Sequence, residues 1–386
     1  MIIRELKSEL ERLIRSFKVI AVTGPRQSGK TTLCKMAFPD YVYFNLDRLE
    51  VVEEIEKSPE IFLRQYGKNG VILDEAQNYP RIFPHIKVVA DEAPSHRFVL
   101  TGSSNFLLLE KITESLAGRV ALHTLLPLSL SELRSLAETA TENLLFRGGY
   151  PAIWGDNIAP LDLAANYYNT YVERDVRQII NLKDRSKFQI FIRLCAGRIG
   201  AEFNASALSN EVGVSFHTIQ EWLSILEASY VIFRLPPFYQ NIGKRLVKTP
   251  KIYFYDTALV CFLLGLENAA QLPTHPLYGA IFENYAVLEL LKARLNAGKT
   301  PNLFFYRDQA QHEVDVVQEF GVGYRAYEIK SATAFHTSFT KNLDYLKKLL
   351  GDRLLSTKVI FDGAVELNAK ENGALNFRSI KNEQIF

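Results

Sequence analysis

Apolar residues at Ile3, Leu6, Leu10, Leu13, Ile14 and Phe17 recur at helical spacing, so the chain opens on an amphipathic helix. The run KVIAVTG (18–24) reads as a short buried strand ending in a turn, and TTLCKMAF (31–38) as the start of a helix. Further apolar runs at YVYFNL (41–46), GVILD (70–74) and HRFVLTG (96–102) predict buried strands with helical segments between them. Alternation of this kind predicts a parallel sheet covered on both faces. The block ends near the turn RGGYP (147–151).

From about Leu161 to Gly200 the pattern turns helical, most clearly in YYNTYVERDVRQIINL (167–182). Residues 204–256 read as a small unit of their own. Within it, 207–238 match a winged helix-turn-helix: a helix ends at Gly213-Val214-Ser215, and a second carries Ile219, Trp222, Leu223 and Leu226 on its apolar face. A strand pair, VIFRLPPF (231–238) and KIYFYDT (251–257), would form the wing. The last part opens with the helix AIFENYAVLELLKARL (280–295), and strands recur at NLFFYR, EVDVVQEF, YRAYEIK and KVIFD. The expected domains are 1–150, 151–275 and 276–386.

A chain of 386 residues suits such a division. Its formal net charge of +2 gives no overall bias. Charge is nevertheless uneven. From Arg174 to Lys251 twelve Lys or Arg stand against six Asp or Glu, while residues 1–150 hold nineteen of each, so an acidic partner would be met mid-chain. Cys34, Cys195 and Cys261 are far apart and lack metal-site spacing, which points to buried thiols in a reducing compartment. The first residues mix acids with bases around no apolar h-region, and no run of eighteen apolar residues occurs. A cytoplasmic protein with no membrane span is expected.

Gly24-Pro25-Arg26-Gln27-Ser28-Gly29-Lys30-Thr31 fits GxxxxGK[ST], and it follows a buried strand and opens a helix. The glycines let backbone N–H groups curl around a phosphate, and the helix N-terminus adds its positive dipole end. Lys30 would neutralise the β- and γ-phosphates of ATP, Thr31 would ligate Mg²⁺, and Thr32 extends the phosphate-binding run. About forty-five residues on, Val71-Ile72-Leu73-Asp74-Glu75 is an apolar strand ending in two acids. Asp74 would support the metal through water and Glu75 would polarise the attacking water. ATP and Mg²⁺ are therefore the expected cofactors.

In the last part, Asp315 with Glu328-Ile329-Lys330 has the D…ExK spacing of the restriction-endonuclease-like fold, and either Glu283 or Glu289 on the preceding helix would complete it. Two carboxylates would hold Mg²⁺ and the lysine would activate water or steady a scissile phosphate. A solvated charged strand edge is the alternative. In the helix-turn-helix, the second helix offers Phe216, His217, Gln220 and Glu221, a poor set for reading bases. Lys244, Arg245, Lys248 and Lys251 near the wing would hold phosphates without reading sequence. Use as a lid or a protein-partner surface is favoured over DNA binding.

The stretches TGPRQSGKTTL, YFNLD, ILDEAQ, LTGSSNFLL, SLAGRV, LPLSLSEL, GGYPAIW and YVERDVRQI, with FENYAVLELLK, FYRD, EVDVV and YEIKSA further on, resemble a family of bacterial and archaeal AAA-type ATPases with a nuclease-like C-terminal domain. The resemblance implies an α/β fold: a P-loop AAA-type core, a central helical and winged helix-turn-helix domain, and a restriction-endonuclease-like α/β domain. It also implies a sensor at the end of RFVLTGSSN, for which Thr101, Ser103 and Asn105 are candidates. Arg119 is a candidate arginine finger, in cis or from a neighbouring subunit, with a plain surface arginine as the alternative. Gly148-Gly149-Tyr150-Pro151 resembles an adenine-contacting turn or is a simple loop. The expected activity is Mg²⁺-dependent ATP hydrolysis whose nucleotide state repositions the other domains. The rivals are an ATP-gated switch for DNA or a protein partner with little turnover, and an ATP-regulated nuclease. Both oligomeric and monomeric forms are compatible with the chain.

Overall fold

Strand β1 (Val19–Thr23) is buried at all five positions, and its side chains alternate between two cores. Val19 and Ala21 face one layer with Leu73, Phe98 and Leu100; Ile20 and Val22 face the other with Ile72 and Val99. Helices α1 (Leu6–Leu13) and α2 (Lys30–Ala37) supply Leu6, Leu10, Leu33 and Cys34 to the second layer. Helices α3 (Leu49–Lys57), α4 (Pro59–Gly67) and α5 (Ile82–Glu92) supply Ile55, Phe62, Phe83 and Ile86 to the first. The sheet is completed by β2 (Val42–Asn45), β3 (Val71–Asp74), β4 (Phe98–Thr101) and β5 (Val120–Thr124). Its order is β2-β3-β4-β1-β5, parallel throughout.

That order places β4 between β1 and β3. Val22 is level with Thr101, Leu73 with Leu100 and Asn45 with Asp74, so the ends of four strands meet along one edge. Strand β5 was not among the expected strands. It is a sheet edge with only Ala121 buried, and its apolar run, Val120-Ala121-Leu122, is cut short by His123 and Thr124.

The computed structural model describes residues 2–102, 112, 114–133, 139–172, 185–238, 249–364 and 372–383. They form two compact units. The first holds Met1–Leu128 with the short segments Ala228–Tyr230 and Leu295–Lys299; the second holds the remainder. Residues 129–150 thus group with the second unit. Most of YVERDVRQI, with Ser103, Asn105, Lys244, Arg245 and Lys248, lies outside the described residues.

The second unit begins with α6 (Thr141–Arg147), α7 (Pro151–Gly155), α8 (Pro160–Tyr167) and α9 (Arg185–Ala196). Helices α10 (Ala205–Val212) and α11 (Phe216–Ala228) follow, joined at Gly213, whose φ of 71° suits a residue without Cβ. Asn204 caps α10 through Ala207 N, and Ser215 Oγ accepts from Thr218 N at the start of α11. Trp222 packs at 5.4 and 5.5 Å on Phe188 and Phe191 of α9, so the apolar face read from the sequence is the buried one. Strands β6 (Ile232–Leu235) and β7 (Lys251–Phe254) pair antiparallel after it. Then come α12 (Thr257–Leu263), α13 (Tyr278–Asn296), β8 (Leu303–Arg307), β9 (Glu313–Phe320), β10 (Gly323–Lys330), α14 (Lys341–Leu350), β11 (Leu354–Phe361) and β12 (Asn372–Asn376). Strands β8 to β12 form a mixed sheet in the order β12-β11-β10-β9-β8, and Leu343, Leu346 and Leu350 of α14 pack on it. No helix among the described residues is long and apolar enough to cross a membrane.

Candidate nucleotide site and a second acidic cluster

The loop between β1 and α2 has φ of +141° at Gly24, +61° at Gln27 and +92° at Gly29. A Cβ on Gly24 would lie 2.1 Å from the Leu125 carbonyl oxygen, so the turn needs glycine for space as well as conformation. Ser28 is wholly buried, and its Oγ has no hydrogen-bond partner among the described residues. Lys30 is buried and donates to the Gly24 and Pro25 carbonyls at 3.0 and 2.7 Å. Burial pulls its pKa down to about 8, against the opposing pull of Glu75 and Asp74. Thr32 lies on the exposed side of α2, and Arg26 is half-buried.

Asp74 is the hub of the strand ends. Its Oδ2 accepts from Thr31 Oγ1 at 2.8 Å and from Tyr43 OH at 2.7 Å, and its Oδ1 accepts from Thr101 Oγ1. Four elements, α2, β2, β3 and β4, therefore converge on one carboxylate. Glu75 follows with φ +53°, and Gln77 Nε2 donates to its Oε2 at 2.5 Å. Asp47 has a raised pKa from desolvation and from the nearby charges of Glu75 and Asp74, and Asn78 donates to it.

The expected residues Gly24, Pro25, Gln27, Ser28, Gly29, Lys30, Thr31, Asp74, Glu75 and Thr101 thus share one edge of the sheet. Arg119 does not join them. It precedes Val120, which is level with Val19 at the opposite end of β1, about 13 Å of strand from Thr23. There it forms a two-pronged pair with Asp91, at 2.6 and 3.0 Å. A cis arginine finger is not what this geometry provides.

Sequence reasoning assigned no role to two groups at this edge. Arg4, 5% exposed, donates to Ser28 O at 2.6 Å and Leu126 O at 2.7 Å, tying the phosphate-loop backbone to the segment after β5. Tyr230 OH lies 2.8 Å from Thr23 Oγ1, beside the first loop residue. Arg4 belongs to no motif, and the helix-turn-helix stretch that contains Tyr230 gives no hint of a contact with Thr23; only for Tyr43, inside YFNLD, was a signal present.

In the second unit, Gly149 N donates to Asp256 Oδ2 at 2.7 Å, so Asp256 holds the Gly148–Pro151 turn as well as capping α12. The same unit gathers Glu283, Asp315, Glu328 and Lys330. Asp315 Oδ2 accepts from Ile329 N at 2.7 Å, and Lys330 Nζ is 2.7 Å from Glu328 Oε1. Burial and Asp315 raise the pKa of both Glu283 and Glu328 well above the usual carboxylate range, opposed by Lys251 and Lys330 respectively. Glu289 is elsewhere, bonded to Lys292 Nζ at 2.8 Å and Leu130 N at 2.8 Å, so Glu283 is the helix carboxylate that meets the D…ExK residues. Lys251 corrects one expectation. At 2% exposure it is no surface phosphate ligand; its Nζ lies 2.5 Å from Glu313 Oε1 and 3.3 Å from Glu283 Oε1.

A glycine-bearing loop between a buried strand and a helix, with an acidic strand end two strands away, defines a P-loop ATPase domain of AAA type, and residues 16–134 match the AAA domain family model. Residues 138–270 and 278–378 each match a domain of unknown function (DUF8612 and DUF4143). The chain is 32% identical over 341 residues to the uncharacterised protein Rv2008c of Mycobacterium tuberculosis, covering 85% of this chain and 73% of the relative. It is 25% identical over 331 residues to the uncharacterised protein MJ1544 of Methanocaldococcus jannaschii, covering 77% and 71%. The chain belongs to the family of the mycobacterial protein. Among solved structures, the Walker-type ATPase PABY2304 of Pyrococcus abyssi overlays with 16% identity, 67% of this chain, 94% of the other and a TM-score of 0.48.

Proposed function

We propose that this protein binds Mg²⁺·ATP and hydrolyses it at the edge formed by the Gly24–Thr31 loop, Asp74, Glu75 and Thr101. The observation that carries the reading is the convergence of Thr31, Tyr43 and Thr101 on Asp74, under a loop whose buried lysine is paired only weakly, with backbone carbonyls. The residues suit the ligand. The loop's positive-φ turns and the start of α2 turn N–H groups toward an anion, and the partnerless Ser28 Oγ and buried Lys30 add a donor and a charge. Thr31 and Asp74, already 2.8 Å apart, would hold Mg²⁺, which supplies charge neutralisation at the β- and γ-phosphates. Lys30 would bridge the same phosphates, and Thr101 would keep Asp74 turned toward the metal. Glu75, oriented by Gln77, would take the proton of the attacking water. Arg119 would assist only from a second copy of the chain, after release from Asp91.

ATP turnover by the purified full chain tests this. Lys30→Ala should abolish both binding and turnover; Glu75→Gln should keep binding and lower turnover by about 10²-fold or more. Tight ATP binding without turnover, with Glu75→Gln indistinguishable from the native chain, would replace the ATPase by a nucleotide-gated switch.

The convergence of Glu283, Asp315, Glu328 and Lys330 favours a second reading, in which residues 276–386 are restriction-endonuclease-like. Likewise α10, α11 and the β6–β7 pair support a winged helix for the later part of 151–275, and residues 1–150 remain our ATPase region, with 129–150 grouped in the second unit. Phe216, 52% exposed on α11, favours a protein partner over a duplex.

A further inference from the structure

The helix carboxylate completes a D…ExK metal site only if it can turn toward the ion, and here that carboxylate is engaged. Glu283 accepts from Tyr253 OH at 2.6 Å and from Lys251 Nζ at 3.3 Å. Both partners come from β7, a strand that pairs with β6 and belongs to no part of the sheet carrying Asp315 and Glu328. Lys251 is a long, flexible side chain held almost without solvent contact, its ammonium between Glu283 and Glu313 and facing the charge of Asp315. Asp315 is turned onto the Ile329 amide, and Glu328 Oε2, in a side chain 4% exposed, has no hydrogen-bond partner among the described residues. Among the described residues no three His, Cys, Asp or Glu side chains are disposed to hold a metal ion. The set thus has the right chemical types, one bare buried oxygen, and a lysine where positive charge is wanted.

Building on the restriction-endonuclease-like reading of residues 276–386, we infer that Lys251 is a built-in cation that closes this site: with β7 seated, its ammonium holds Glu283 in place of a divalent ion, and the cluster takes up Mg²⁺ or Mn²⁺ only once Lys251 is withdrawn. An ammonium and a dication on the same carboxylate repel one another at short range, so the two states exclude each other. The pair Tyr253 and Lys251 makes the closure a property of the strand, since both side chains leave together if β7 shifts. Any nuclease chemistry of the cluster would then be silent in this conformation.

Mn²⁺ binding to the nucleotide-free full chain, followed by the loss of the free-ion paramagnetic resonance signal, tests the inference. Lys251→Met alone strands two half-buried carboxylates and risks misfolding, so it is paired with Glu313→Gln, which removes one acid outside the D…ExK set; near-ultraviolet circular dichroism checks the fold. The native chain should show no site at the cluster, and the double variant should gain one site at least tenfold tighter, lost again on adding Asp315→Asn. Native chain that binds Mn²⁺ in an Asp315-dependent way would overturn the closure and leave the metal-site reading standing. A folded double variant that binds none would overturn both.

Discussion

Replacing Arg4 by methionine probes how the phosphate loop is held. The side chain is nearly solvent-free, and its two Nη atoms satisfy two carbonyls from segments 98 residues apart, Ser28 and Leu126, at 2.6 and 2.7 Å. Methionine keeps most of the stem packing and removes the cost of burying a charge, but leaves both carbonyls without this donor in a dry place. An orphaned buried acceptor costs roughly 1–3 kcal/mol, so with partial rehydration the first unit should lose about 2–4 kcal/mol. Lysine in its place reaches one carbonyl and should recover about half. Trp154 and Trp222 both lie in the second unit, so tryptophan emission will not report this loss. Amide hydrogen exchange at Val19–Thr23 will, with protection falling by about 30- to 1,000-fold for Arg4→Met. The same variant should weaken ATP binding, because the Ser28 backbone that lines the phosphate turn loses its tether. Unchanged protection in β1, or a lysine variant no better than methionine, would refute the claim that the bridge between the two carbonyls matters.

Two pH effects follow from the buried charges. Lys30, held to about 8 without ligand, regains its proton when phosphates surround it, so Mg²⁺·ATP binding should take up a proton between about pH 8 and the ordinary lysine value, and affinity should fall as pH rises through that window. Calorimetry at pH 8.5 in two buffers of different ionisation heat would detect it, and buffer-independent heats would sink it. In the second unit, Glu328 has a folded pKa raised above its unfolded value, chiefly by burial and Asp315, so its protonated form favours the fold at low pH and that contribution is lost as pH rises past the usual carboxylate range. Denaturation followed by tryptophan emission should show Glu328→Gln flattening the pH dependence between 5 and 8; a parallel profile would contradict this.

The parts legible in the sequence are those whose chemistry is local. Gly24–Thr31 and Val71–Glu75 announce themselves because each motif is contiguous and sits on a strand end, and the apolar face of α11 because Ile219, Trp222, Leu223 and Leu226 repeat at helical spacing. The choice between Glu283 and Glu289 was not legible. Six residues turn a helix by about 600°, so the two point to different faces, and only the tertiary fold says which face meets Asp315. Arg4, Tyr230 and Lys251 share another kind of opacity. Each acts on residues brought near by the fold, Thr23 and Tyr230 being 207 positions apart, and in none does the local pattern reveal the partner. Arg119 shows the converse: its sequence context made it a candidate arginine finger, in cis or from a second subunit, or a surface arginine, and the register of β5 on β1 puts it at the other end of the sheet from the loop of its own chain.

Two buried lysines near carboxylates, Lys251 and Lys30, separate the two sites by a single criterion. A buried ammonium either has anions within the protein or awaits one from outside. Lys251 has its own: burial would lower its pKa, yet Glu283, Asp315 and Glu313 more than offset that and raise it. Lys30 sits beside Glu75 and Asp74 but among the described residues bonds only to carbonyl oxygens, and burial wins, so its pKa falls to about 8. The first arrangement is complete as it stands and would be disturbed by another cation. The second holds a charge at a cost that an anion would relieve, and the turned loop with its partnerless serine hydroxyl lies around it. By this criterion the edge at Gly24–Thr31 is poised for a phosphate ligand, and the cluster at Asp315 is closed until a strand moves.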